Sequence, residues 1–141
     1  MIGFERILQR QLEDIGRIAR EVDDPGEALA AMLDHHLAFI FEAGDHLAAW
    51  KQEFRNLPAE DAWRHRRMQR LYVEEWVNVV VRLRPDLSDG QARAAVHAVM
   101  ALLQSGGARR SGLPADEVAE VLCNMALAAL SGSNSSDGLL T

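Results

Sequence analysis

From Phe4 to Leu130 the apolar residues recur at three- and four-residue spacing, and nowhere do they alternate as a strand would. That single periodicity limits the chain to packed helices. The first segment carries Phe4, Ile7, Leu8, Leu12, Ile15, Ile18, Ala19 and Val22 on one face. At "DDPGE", Asp24 suits an N-cap and Pro25 a first helical position. The second segment, about 26–43, places Leu29, Met32, Leu33, Leu37, Ile40 and Phe41 inward until Gly44 breaks it. A short third segment, "DHLAAWKQEF", turns Leu47, Trp50 and Phe54 inward. The fourth is the longest, about 58–84, with Pro58 in its first turn and a stripe of Met68, Leu71, Tyr72, Trp76, Val79, Val80 and Leu83. At a rise of 1.5 Å per residue it spans about 39 Å, the length of a spine.

Arg84-Pro85 stops that helix, and Ser88 with Gln91 has the spacing of a capping box. A fifth helix runs to about Ser105, "SGGARRSG" is a loop, and Leu113-Pro114 opens a sixth ending near Leu130. The expected fold is all-α, with six helices in one domain over 1–131. A polar tail over 132–141, rich in Gly and Ser, is expected to be mobile. The 141 residues suffice for one sizeable core.

The last two helices are apolar or small on more than one face. Ala92, Ala94, Ala95, Ala98 and Ala101 surround Val96, Val99, Met100 and Leu103. Ala119, Ala126, Ala128 and Ala129 surround Val118, Val121, Leu122 and Met125. A helix buried on one side needs one stripe. Two broad faces predict two neighbours, the rest of the domain and a second copy of the chain. The resulting dimer would be an isologous four-helix bundle through Ala95, Val99, Leu102, Val118, Leu122, Met125 and Ala129. The competing account is that alanine fills these positions as the best helix former.

Charge and motif content exclude several chemistries. The formal net charge is -6, poor for gripping a phosphate backbone. The single cysteine, Cys123, sits mid-helix among apolar residues, where a thiol is a small hydrophobe, and it precludes an internal disulfide. No apolar run reaches the about 18 residues that cross a bilayer. The charged N-terminus is no signal peptide, so a cytoplasmic location is expected. Asp34, His35 and His36 are adjacent and point about 100° apart on a helix, so they cannot share one ion. Glu42 and His46 are separated by Gly44, and Asp61 and His65, four apart, suit a surface hydrogen bond as well as a ligand pair. No HExxH, GxSxG or glycine-rich phosphate loop occurs. No metal, cofactor or catalytic residue is predicted, and an enzyme is disfavoured.

Aromatic and methionine residues form the most suggestive set: Phe39, Trp50, Phe54, Trp63, Tyr72, Trp76, Met32, Met68 and Met100. They suit an ordinary filled core. Equally they suit a largely apolar pocket with His36, Gln52, Tyr72 and Asn78 as polar groups. The basic run "WRHRRMQR" brings Arg66 and Arg70 onto one face, either solvated or docking an acidic group.

Three stretches carry a family resemblance: "FERILQRQLEDI", "MQRLYVEEWVNVVVRLRPDLSDGQARAAVHAVMALLQS" and "LPADEVAEVLCNMALAAL". Together they resemble the C-terminal ligand-binding and dimerisation domain of TetR-family transcriptional regulators. The resemblance covers nearly the whole chain to about Leu130 and contains no catalytic motif. It implies a homodimeric repressor whose effector sits between the second, fourth and fifth helices, capped by the third. The implied ligand-binding residues are Met32, His36, Phe39, Trp50, Phe54, Met68, Arg70, Tyr72, Trp76 and Met100. The implied effector is apolar or acyl-type, with Arg66, Arg67 and Arg70 serving an anionic head. In the family a helix-turn-helix domain precedes the first helix seen here, and no recognition helix lies in this sequence. The expectation is therefore a chain that dimerises and holds ligand, and reaches DNA only through that N-terminal domain. A second reading is a stand-alone helical interaction protein that dimerises with a full-length regulator.

Overall fold

A computed structural model describes residues 2–43, 52–105 and 111–132 of the chain. The described residues form five long helices: α1 (Ile2–Glu21), α2 (Pro25–Ala43), α3 (Ala59–Leu83), α4 (Asp89–Leu103) and α5 (Ala115–Ser131). A helical turn over 52–55 stands where the short third segment is expected to end, and no strand occurs among the described residues. Gly44, Leu47 and Trp50, most of the "SGGARRSG" loop and the polar tail from 133 onward lie outside them. Helix α3 is the spine, packed against α1, α2 and α4, while α5 lies against α2 and α4. Among the described residues no helix is long and apolar enough to cross a membrane.

Local sequence explains the helix ends. Asp24 Oδ2 accepts from the Glu27 backbone N–H at 2.9 Å, and Pro25 opens α2. Pro58 stands one position earlier than its expected place, at the N-cap of α3. Arg84 caps the other end of α3, its N–H donating to the Val80 carbonyl at 2.8 Å. Its guanidinium, nearly buried, grips Asp86 through Nε at 2.9 Å and Nη2 at 2.7 Å, which closes the Arg-Pro-Asp-Leu turn. The capping box forms in full: Gln91 N–H donates to Ser88 Oγ at 3.1 Å, and Ser88 N–H donates to Gln91 Oε1 at 2.9 Å. Ser88→Ala is expected to lower stability by about 1 kcal/mol, and the melting temperature by about 3 °C. A thermal melt checks this against Ser88→Thr, which keeps the hydroxyl and should lose less.

The core runs through Ile15 of α1, Leu29, Met32 and Leu33 of α2, Trp76, Val77 and Val80 of α3, Val96 of α4, and Ala126 and Leu130 of α5. Gly16 lies where α1 meets α3: a Cβ there would meet Arg20 Nη1 at 3.0 Å and Glu75 Oε1 at 3.4 Å. Leu71 is not part of the inward stripe, and 42% of its surface is exposed. It lies five residues before Trp76, so at about 100° per residue it points about 140° away. Val73 and Val77 fill that register instead.

Candidate functional site

One turn of α2 aims three consecutive side chains at three different helices. The Asp34 carboxylate accepts from the Cys123 thiol of α5 at 3.7 Å. Burial, then the Asp34 charge, pushes that thiol up and keeps it protonated. His35 Nε2 meets Asp14 Oδ2 of α1 at 3.1 Å. His36 Nδ1 meets the Tyr72 hydroxyl of α3 at 2.7 Å. Among the described residues no three His, Cys, Asp or Glu side chains gather as a metal group.

His36 lies at the inner end of a cavity of about 370 Å³. Leu8 and Gln11 of α1, Phe39 of α2 and Phe54 of the 52–55 turn form one side. Met68, Tyr72 and Val73 of α3 and Met100 of α4 form the other. Gln69, His97 and Gln104 are exposed and mark the mouth. Phe54 stacks on His65 with ring centroids 3.7 Å apart, closing the side nearest the start of α3. At the inner end the His36 ring stacks on Tyr72 at 5.6 Å and meets the edge of Trp76 at 5.8 Å.

The polar groups there are held neutral. Burial, helped by the neighbouring His35 charge, pulls His36 from the usual 6.5 to about 4. Burial pushes the Tyr72 hydroxyl upward, so it stays protonated. His36 Nε2 and Gln11 Oε1 are both buried without a hydrogen-bond partner. Unpaired buried polar atoms are costly and few in folded proteins, and here two occur in the walls of one cavity.

Of the predicted ligand residues, His36, Phe39, Phe54, Met68, Tyr72 and Met100 line this cavity together. Met32 and Trp76 do not, being fully buried in the core. Arg70 lies outside too, in an open groove with Trp63, Arg66, Glu74 and Arg93 that shares Gln69, Val73 and His97 with the cavity. Arg93 is paired with Glu74 and Asp89, whereas Arg66 and Arg70 have no ion pair among the described residues. Gln52 and Asn78 are exposed and line none of this, Asn78 because two residues past Trp76 is about 200° around the helix. Trp50 lies outside the described residues. Gln11, His65 and His97 were not predicted as lining residues. Gln11 had a readable signal, lying one turn before the fully buried Ile15 on the same face of α1.

The predicted dimer residues divide as well. Val99, Val118 and Leu122 are buried in the protomer's own core, so they are not free for a partner. Ala95 and Leu102 are half-buried. Met125 and Ala129 face outward, beside Val121, and so do Ala94, Ala98 and Ala101 of α4. On these helices the larger residues turn to the protomer's own core and alanines occupy much of the outer face.

Comparison with curated proteins returns no significant match. A family model described as "Tetracyclin repressor-like, C-terminal domain" matches residues 22–130, from the end of α1 to the last turn of α5. By that match, over most of its length, the chain belongs to the TetR-like C-terminal domain family.

Proposed function

We propose that the chain is the ligand-sensing and dimerising domain of a TetR-type transcriptional repressor. It works in the cytoplasm, takes an apolar or acyl-type effector, and performs no catalysis. DNA is reached through a helix-turn-helix domain joined at its N-terminal end. The observation that carries this reading is the cavity between α1, α2, α3 and α4. It is lined by aromatic, methionine and aliphatic side chains with a few polar groups, the usual make-up of a small-molecule site. An effector seated there touches four helices at once. It favours whichever arrangement of those helices fits it best, and that preference is the free energy a repressor converts into release from DNA.

Dimerisation draws on the outer faces of α4 and α5. Val121 and Met125 are each 50% exposed and sit four residues apart on α5, beside Ala128 and Ala129. Small residues at Ala94, Ala98 and Ala101 allow close approach of a symmetry mate. Native mass spectrometry tests both halves of the proposal. The expected result is a dimer, carrying extra mass that leaves on denaturation when effector is co-purified. Val121→Glu combined with Met125→Glu should give a helical monomer, because the interface would have to bury unpaired charges. A wild-type chain that stays monomeric at micromolar concentration, with nothing bound, would overturn the proposal.

A further inference from the structure

Resting on the ligand-sensing reading, we propose that the cavity selects an uncharged ligand. A ligand oxygen accepts the Nε2–H of His36, and a ligand N–H or O–H meets Oε1 of Gln11. The tautomer follows from counting donors. Tyr72 Oη and His36 Nδ1 are 2.7 Å apart and share one hydrogen bond. Were His36 to donate there, the Tyr72 proton would have no acceptor among the described residues, and Nε2 would be an empty acceptor. With Tyr72 donating to Nδ1, the ring proton sits on Nε2 and only that N–H is left over. His36 is 6% exposed, and it lines the cavity. The unpaired Gln11 Oε1 supplies the complementary acceptor.

The same walls disfavour an anion. Among the described residues no arginine lines the cavity, because Arg66, Arg70 and Arg93 belong to the groove outside its mouth. A carboxylate carried to His36 would leave water without gaining a countercharge. A hydroxyl or a primary amide on an apolar frame fits instead. Gln11 lies on α1, before the segment matched by the family model, so this part of the selectivity comes from the chain's own first helix.

Isothermal titration of the full chain at neutral pH with naphthalene, 1-naphthol and 1-naphthoate tests the proposal. The three share one apolar frame and differ in having no head, a neutral donor and acceptor, or an anion. 1-Naphthol is expected to bind about tenfold tighter than naphthalene, the scale of a satisfied buried hydrogen bond, and 1-naphthoate weakest of the three. His36→Phe should erase the 1-naphthol advantage over naphthalene, with far-UV circular dichroism reporting that the variant is folded. Gln11→Leu should reduce that advantage by a smaller factor. Equal binding of naphthalene and 1-naphthol would overturn the proposal while sparing the sensor reading. Tightest binding by 1-naphthoate would overturn it in favour of the arginine groove. Binding of none of the three would remove the open cavity, and the sensor reading with it.

Discussion

Trp76→Ala is expected to remove about 4 kcal/mol of folding stability, the largest loss from any single substitution considered. The indole is fully buried on α3, the helix against which α1, α2 and α4 pack, and it meets the His36 ring of α2. Domains of this kind hold about 5–15 kcal/mol in total, so this is a large share of the whole. Trp76→Phe should lose less, because phenylalanine keeps a ring at the same place and leaves a smaller gap. Urea unfolding followed by far-UV circular dichroism measures both variants. A loss below about 1 kcal/mol for Trp76→Ala would mean that the centre of α3 is not the packed core described.

The second large effect is in acid. An unfolded chain protonates His36 near pH 6.5, whereas the folded chain withholds that proton until about pH 4. The unfolded state therefore binds more protons between those values, and stability must fall as pH drops through that window. Above it His36 imposes no penalty, and below it the penalty is complete. At roughly 1.4 kcal/mol per pH unit the full penalty is about 3 kcal/mol. The groups facing His36 do not offset it: Tyr72 stays protonated, Trp76 is neutral, and the His35 charge opposes the proton. His36→Phe should flatten this part of the profile. Urea unfolding of wild type and variant at neutral pH and near pH 4 isolates the effect from the acid response shared by all carboxylates. Parallel loss in both proteins would overturn the assignment.

Helix ends were the most legible part of the chain, because each has a local chemical cause. Ser88 and Gln91, Asp24 and Pro25, and Arg84 before Pro85 each fix a boundary through contacts within four residues. The inner stripe of α2 was equally plain, since Leu29, Met32, Leu33 and Leu37 repeat without interruption. What periodicity does not carry is depth. Met32 and Met68 both lie on inward faces, yet Met32 is fully buried in the core and Met68 lines the cavity. The difference depends on how far α1 and α4 stand from α3, which no single helix encodes. The same limit affected α4 and α5. Two apolar stripes on one helix look alike in sequence, and Val99, Val118 and Leu122, expected at the dimer interface, fill the protomer's own core.

The three-way aim of Asp34, His35 and His36 constrains how this sequence can drift. Each side chain reaches a different helix only because its neighbour is one residue, about 100°, away. Substitution at any one of them loses one contact and leaves the other two in place. Inserting or deleting a single residue earlier in α2 rotates all three together, presenting Cys123, Asp14 and Tyr72 with the wrong partners. Descendants of this chain should therefore vary in letter along this turn far more freely than in length, with gaps confined to the connections between helices.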